Sequence, residues 1–577
     1  MAPGVTNGDG PSDRLGITVF SGGTAANSLV DVFNRIAEKR RCKLNYVIPI
    51  SDNGGSSSEL IRFIGGPSVG DIRSRLVRLI PNQEDDREMS ALKLLFEHRL
   101  DSDPLKAREE WQDIVESRSL LWSFISSPKR ELIRSVLNTV NLEIVKRARP
   151  PNVFDFASAS VGNMFLTGAR LFTGSFESAI YLLSMICSIP PSISVLPVIN
   201  SNFAHHICAG LADGTIIAGQ NAISHPSAPT AVPGDSTTTH HHLLHNIPTL
   251  ALHKQVLLSQ AQAQACSHSP HTTSSPTPNT FTDFTEDDDD EEDGANLPGS
   301  LPALRRPNIA FSKHHSADDE EDLPARIERL WYINPYGQEI APVANPKVVE
   351  ALAQSRVVVY SIGSLYTSII PSLVLRAVGR AIAFSDLLPG TASPVPGRLG
   401  TGTPVGGDPG RSPALEALSH PPSSHGGGER GIRHKILILN SRIDRETGPR
   451  TNPMSAKDFV AAIARACVES RAPELVGKEE VLRRCVTHLI YVDREDLVPA
   501  KEEDGVSNKE GDGDEGYEEE MPLMPKVEVE ELERLGITCV KVRGRKEIVA
   551  RRGKRRVVVL RYDEQALGVA LERIIES

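Results

Sequence analysis

The run from Gly16 to about Ile50 constrains this chain more than any other feature. A short β-rich apolar segment, Gly16–Phe20 (GITVF), leads through a small-residue loop, Ser21–Asn27, into a stretch where Leu29, Val30, Phe33 and Ile36 recur at helical spacing. A second apolar run, Lys43–Ile50, follows, and Pro49 ends it. Strand, glycine-rich loop, helix, strand is the pattern of a parallel α/β sheet. Ligands that carry phosphate bind such sheets outside the carboxyl ends of the strands.

The same alternation recurs along the 577 residues, although domains of about 100–200 residues are usual. Asp86–Arg149 is mostly helical in pattern, Ala157–Phe172 and Phe176–Ile186 predict two more helices, and Ser192–Pro197 a strand. Ile207–Gly219 reads as a hairpin turning at Asp213-Gly214. Apolar strands are predicted at Arg329–Ile333, Val357–Ser361, Lys435–Asn440 and Cys485–Val492, with helices at Pro346–Ala353 and Ala456–Ser470. Thr538–Val542, Val557–Arg561 and Ala566–Ile575 return to sheet and helix. The reading is one α/β domain of Rossmann-like character in four parts, 15–223 (with a helical insertion at about 100–150), 326–386, 431–495 and 526–577. Residues 1–14 are expected to be disordered, as are three interruptions: 224–325 (His, Ser, Thr, Pro and acidic), 387–430 (Gly, Pro and Ser) and 496–525 (acidic).

The net charge of −11 misleads until it is located. Glu286–Asp293, Asp318–Asp322 and Lys501–Glu520 together carry −21, so the remainder stands at about +10. A mildly basic folded part suits an anionic small ligand and is too weakly basic to argue for nucleic acid. No run of about 18 apolar residues is present, so no spanning helix and no membrane are expected. Met1–Arg14 lacks a signal-type apolar segment, and the seven cysteines form no CxxC pair, so the expected location is the reducing cytoplasm.

Four segments carry chemistry. Ser21-Gly22-Gly23-Thr24 leaves a strand and enters a helix, where close backbone approach and the helix dipole favour an anion; a tight βα turn would look the same. Asp52-Asn53-Gly54-Gly55-Ser56-Ser57-Ser58 puts a carboxylate, an amide and three hydroxyls in one loop. Asp52 suits Mg²⁺ or a ribose hydroxyl and the serines suit phosphate, or else Ser57 or Ser58 is simply an N-cap. In Gly70-Asp71-Ile72-Arg73, Arg73 either clamps a phosphate or lies on the surface, and Asp71 is a candidate N-cap. Gly363-Ser364-Leu365-Tyr366-Thr367-Ser368-Ile369-Ile370-Pro371 follows an apolar strand and again suits an anion or a sugar, or an ordinary capped helix start.

Taken in order, these segments resemble the CofD/YvcK superfamily, which includes the 2-phospho-L-lactate transferase of deazaflavin-coenzyme biosynthesis and the bacterial YvcK proteins. Gly22-Gly23-Thr24 is similar to the family's GGTG, Asp52–Ser57 to D(D/N)GGSSG, and Ser68–Arg73 to PPGDIR. Ser160-Val161-Gly162-Asn163 is similar to SFGN, and Ala344-Asn345-Pro346 to ANP. Gly363–Pro371 is similar to GPGSLYTSxxP, and Asn440 with Glu446-Thr447-Gly448 to N…ETxG. Ala25, and Ser361-Ile362 before Gly363, depart from the family's Gly and Gly-Pro. The resemblance covers about Gly16 to Ser470 and implies a CofD-like three-layer α/β sandwich with a nucleotide-diphosphate cleft.

It further implies Asp52, Asp71 and Arg73 as catalytic candidates, with Asp52 on Mg²⁺. The ligand-binding candidates are Gly22, Gly23, Thr24, Asn53, Gly54, Gly55, Ser56, Ser57, Gly70, Gly162, Asn163, Gly363, Ser364, Thr367, Ser368 and Asn440. Two functions stay open: transfer of a phospholactate-type group from a nucleotide diphosphate, with Mg²⁺, or regulation through a bound UDP-sugar. A homodimer also stays open. For a deazaflavin stack the candidates are Phe154, Phe156 and Phe165.

Three further features weigh less. His240, His241, His242 and His245 sit in low-complexity sequence and read as a solvated tract before a metal site. His205-His206 reads as a core or rim pair. Lys541–Arg556, with nine Lys/Arg, reads as a basic hairpin facing the chain's own acidic tracts, with nucleic acid or acidic lipid as the other option.

Overall fold

The computed structural model describes residues 16–23, 25–51, 54, 56–81, 86–150, 152–224, 322–385, 431–498, 518–552 and 555–577. The strands, in chain order, are β1 (Gly16–Phe20), β2 (Leu44–Ile48), β3 (Ile193–Pro197), β4 (His206–Leu211), β5 (Ile216–Ala218), β6 (Ile327–Ile333), β7 (Glu339–Ile340), β8 (Ser355–Tyr360), β9 (His434–Ile438), β10 (His488–Val498), β11 (Glu518–Glu520), β12 (Thr538–Arg552) and β13 (Arg555–Tyr562).

Nine of them form one sheet in the order β3-β2-β1-β8-β9-β10-β12-β13-β11. Every neighbouring pair is parallel except β12 and β13. All five residues of each of β1, β2 and β9 are buried, as a parallel sheet covered on both faces requires. Helices flank this sheet, so the class is α/β and Rossmann-like, in agreement with the sequence. From β1 the chain runs outward through β2 to β3, then crosses to the other side of β1 and continues through β8, β9 and β10. The direction of winding reverses between β1 and β8, and the loops that leave those two strands border the crevice where such sheets bind ligands.

Among the described residues up to Ser224 the helices are α1 (Val30–Arg40), α2 (Ser56–Phe63), α3 (Gly70–Arg78), α4 (Arg87–Glu97), α5 (Pro104–Val115), α6 (Ser127–Arg147), α7 (Val161–Thr173), α8 (Phe176–Ile186) and α9 (Gln220–Ser224). Helices α4 to α6 are the helical extension. Asp86 and Asp103 cap α4 and α5 by accepting from backbone N–H groups two and three residues on. Trp111 of α5 is fully buried and stacks on Phe156 at 5.9 Å. The helix Glu564–Glu576 packs beside α1, with Lys39 paired to Glu572 at 2.5 Å and Arg40 to Glu576 at 3.0 Å.

A second, antiparallel sheet has the order β5-β4-β6-β7, with the β4–β5 turn carried by Gly214 at φ 87°. Strands β4 and β6 pair side by side although β5, α9 and residues 225–321 fall between them in the sequence. The run Arg329–Ile333, read from sequence as part of the α/β pattern, belongs to this second sheet. Its exposed Glu328 and half-buried Arg329 and Trp331 mark it as only partly covered, unlike the fully buried β1.

Within the segment 496–525, expected to be an insertion, Glu518–Glu520 form edge strand β11, in register with Arg555–Val557 of β13. The edge of a sheet offers unpaired backbone groups, and an extended segment satisfies them. The basic run Lys541–Arg556 is a β12–β13 hairpin, as read. The six described cysteines are free thiols. Among the described residues no single helix is long and apolar enough to cross a membrane; the bent pair Leu365–Leu373 and Arg376–Ala383 meets that test only jointly, by length and composition, and its residues are mostly buried in the fold.

Candidate functional site

The two loops at the switch point touch. The chain leaves β1 through Ser21, Gly22 and Gly23, and a Cβ on Gly22 would stand 2.9 Å from Ser368 Cβ and closer still to Ser368 Oγ. A Cβ on Gly23 would lie 2.9 Å from Asp71 Cγ and 3.1 Å from Asp71 Cα, with Asp71 Oδ1 nearer again. Neither glycine has a positive φ, so close approach explains them and left-handed backbone does not. Gly22, Gly23, Asp71 and Ser368 are thus drawn together from β1, the first turn of α3, and the segment after β8.

A second group joins at α3. Gly70 opens that helix, and Arg73, one turn in, donates from Nε to Asn163 Oδ1 at 3.2 Å. Asn163 Nδ2 donates in turn to Ser56 Oγ at 3.0 Å and Ser57 Oγ at 3.3 Å. Gly162 lies against the Arg73 side chain, 2.8 Å from Cγ to where its Cβ would be. One amide therefore ties the first turns of α2, α3 and α7 at a single point. Helix α2 starts at Ser56, so Ser57 and Ser58 sit inside its first turn and are not N-caps. Burial lowers the Arg73 guanidinium to about 10, which leaves it charged. Gly54 is described and partly buried, whereas Thr24, Asp52, Asn53 and Gly55 lie outside the described residues.

The wall formed after β8 is held from behind. Gly363, at φ 138°, donates its N–H to Asn440 Oδ1 at 3.1 Å and accepts from Asn440 Nδ2 at 2.7 Å. This reciprocal amide pair fixes a backbone shape that favours glycine. Beyond Ser364 the segment Leu365–Ile369 is a π-type turn, a form frequent at functional sites.

Two of its N-terminal N–H groups are already engaged. Glu446, 2% exposed, accepts at Oε2 from the N–H groups of Tyr366 (2.8 Å) and Thr367 (3.1 Å). At Oε1 it accepts from the hydroxyls of Thr367 and Ser224. Burial, helped by Asp444, pushes the Glu446 carboxyl up to about 7, against the pull of these hydrogen bonds. The Thr367 hydroxyl is therefore committed to Glu446, and Ser368 reaches the Gly22 loop.

Arg75 and Ser224 escaped sequence reading, and the cap made by Glu446 was not foreseen. Arg75 left a trace, for Ile72, Leu76 and Leu79 mark the buried face of α3 and Arg75 falls on it at helical spacing. Ser68, Ser160 and Ser361, which stand just before α3, just before α7 and just after β8, have buried hydroxyls with no partner among the described residues. His206 is buried and His205 beside it is half-buried, and burial takes His206 down to about 4, a neutral core histidine. His240, His241, His242 and His245 lie outside the described residues. No cluster of three His, Cys, Asp or Glu suited to a metal occurs among the described residues. Phe154, Phe156 and Phe165 are core side chains, packed on Phe63, Trp111 and Phe96, and offer no open stacking platform.

Fold and site together define an α/β protein whose glycine–serine loops meet at the switch point of a parallel sheet. The sequence model of the family 2-phospho-L-lactate transferase CofD matches residues 17–393. The uncharacterised protein YNL011C of Saccharomyces cerevisiae is 40% identical over 373 residues, 64% of this chain and 76% of that one. A Streptococcus pyogenes protein described as "Putative gluconeogenesis factor" is 34% identical over 92 residues, 15% of this chain and 28% of its own. The crystal structure of protein BH3568 from Bacillus halodurans aligns with 97% of this chain and 99% of its own at 15% identity, with a TM-score of 0.45. The chain belongs to the 2-phospho-L-lactate transferase CofD family.

Proposed function

We propose that this protein binds a nucleotide-diphosphate ligand at the switch point and transfers a phosphorylated group from it, as a transferase of the 2-phospho-L-lactate transferase type. The observation that carries the reading is the meeting of Gly22, Gly23, Asp71 and Ser368 in one place. Backbone approaches closely there, a carboxylate and a hydroxyl stand beside it, and the Arg73–Asn163 pair lies two residues further along α3. In the transfer the acceptor hydroxyl oxygen forms a new P–O bond and releases its proton to solvent, the diphosphate bridge breaks, and the nucleoside monophosphate leaves with the bonding electrons.

Mg²⁺ is typically held by one or two carboxylates together with ligand phosphates, and Asp71, against Gly22 and Gly23, would be one such carboxylate, with Asp52 the one expected from sequence. The ion would supply neutralisation of charge on the leaving group. Arg73 would bind a phosphate oxygen, and Ser368 would close the far wall.

A second reading is a UDP-sugar-binding regulator with no chemistry. It is favoured by the core positions of Phe154, Phe156 and Phe165, which leave a deazaflavin acceptor without the stack read from sequence. Calorimetry with GDP, UDP and a UDP-sugar, each with Mg²⁺ and with chelator, tests both. Binding of a nucleotide diphosphate that strengthens with Mg²⁺ supports the transferase reading. Tight UDP-sugar binding indifferent to Mg²⁺ supports the regulator, and no binding of any of them defeats both.

A further inference from the structure

Beneath the Gly22–Gly23 loop lies a buried charge. Arg75 is 0% exposed. Its Nη2 donates to Ser21 Oγ and to the Gly22 carbonyl, both at 3.1 Å, and its Nη1 donates to the Ala26 carbonyl at 3.4 Å. The guanidinium lies 4.6 Å from the centre of the Tyr46 ring, and its Nε has no partner among the described residues. All its hydrogen-bond acceptors are neutral, and no described carboxylate forms an ion pair with it. Arg78, one turn on, is paired with Asp31, and Asp71, one turn back, packs its carboxylate on the same Gly22–Gly23 loop and favours the Arg75 charge without a salt bridge to it.

A cation taken out of water without a directly paired counter-charge is costly, and arginine does not escape the cost by losing its proton. The most economical physical account is that the counter-charge arrives with a ligand. The geometry also fixes the loop. A trans peptide directs its C=O and the following N–H to opposite sides, and the Gly22–Gly23 bond is not among the cis bonds. Because Arg75 holds the Gly22 carbonyl, the Gly23 N–H is turned away from the guanidinium.

We propose that Arg75 is the positioning residue of the anion site: it sets the Gly22–Gly23 peptide and supplies a buried positive charge that a phosphate group on this loop neutralises. This rests on the diphosphate reading above and adds to it a residue outside all the loop motifs. The ligand class it selects is one with negative charge against Gly22 and Gly23, in contrast to a neutral sugar or nucleoside held there by hydrogen bonds alone.

The test uses the full chain with Arg75→Met, Arg75→Gln and Arg75→Lys, calorimetry with UDP, GDP and inorganic pyrophosphate, and thermal unfolding without ligand. Wild type is expected to bind at least one of these probes. Arg75→Met and Arg75→Gln lose about tenfold or more of that affinity, Arg75→Lys recovers much of it, and the unliganded Met variant unfolds at or above the wild-type temperature. Should Arg75→Met not fold, Arg75→Gln, which keeps a donor for the Gly22 carbonyl, carries the comparison. Equal affinity in wild type and a folded neutral variant overturns the role of Arg75 and leaves the diphosphate reading standing. A loss of stability without a loss of affinity shows a structural residue only. Failure of wild type to bind any of the three probes removes the diphosphate reading and this inference with it.

Discussion

The loops after β1 and after β8 are built from the same local parts, a buried parallel strand, glycine, small hydroxyl residues and a helical turn, yet their electrostatics are opposite. The first rests on a buried guanidinium, Arg75, whose acceptors are all neutral. The second has two of its N-terminal N–H groups, and the Thr367 hydroxyl, bound to a buried carboxyl, Glu446. A helix start is an anion site only while its donors are free. One loop thus rests on a buried cation without an ion-pair partner among the described residues, whereas two donors of the other are satisfied from within by Glu446.

The contrast breaks most visibly at Glu446. In Glu446→Ala two N–H groups and two hydroxyls lose their acceptor, which should cost about 3 kcal/mol or more, read as a lower denaturant midpoint. Glu446→Gln keeps the shape and should cost less.

The same residue sets a pH dependence. Its folded pKa is raised from 4.5 to about 7, so the native state holds this proton more firmly than the unfolded chain does. Its contribution is fully present below about 4.5 and is lost as pH rises towards 7. The wild-type minus Glu446→Gln difference in unfolding free energy should fall across that window, and a flat difference would contradict the buried setting.

On the other loop, Gly23→Val should abolish nucleotide-diphosphate binding, a loss of about 100-fold or more, because a branched Cβ drives Asp71 and the start of α3 aside. Calorimetry reads the affinity, and the stability cost should stay near 1–3 kcal/mol. Unchanged affinity in a folded variant would reduce this loop to a turn. A step smaller, Asp71→Asn and Asp52→Asn should each remove the Mg²⁺-dependent part of binding, and any turnover should drop by about 10²–10³. If Mg²⁺ matters little in wild type and in both variants, the regulator reading gains. The smallest effect is expected from replacing Ser227–Glu320 with a short Gly/Ser linker, which should move the melting temperature by about 2 °C or less. The cut stops before Asp322, which accepts the Arg450 N–H at 2.9 Å. An aggregated or molten product would show that the removed stretch is part of the core.

Most of the fold was legible because hydrophobic period is local. GITVF, KILILN and the stretch around Val357–Tyr360 read as buried strands and are β1, β9 and β8. The glycine loops were legible as well, since a parallel sheet puts every βα loop on one edge. Less legible was the second sheet. The pairing of β4 with β6 closes over more than a hundred residues, from His206 to Ile333, and no local period reports such a partner.

The sequence alone determined the α/β class, the chain positions of the loops and the family, because strand, glycine and helix signals act over a few residues. Only the tertiary structure decided which loop keeps its charge. Arg75 lies 53 positions from Gly22, and Glu446 lies 79 from Thr367 and 222 from Ser224. The energy of a buried ion depends on the groups that surround it in space, and those neighbours are brought together only when the sheet has assembled.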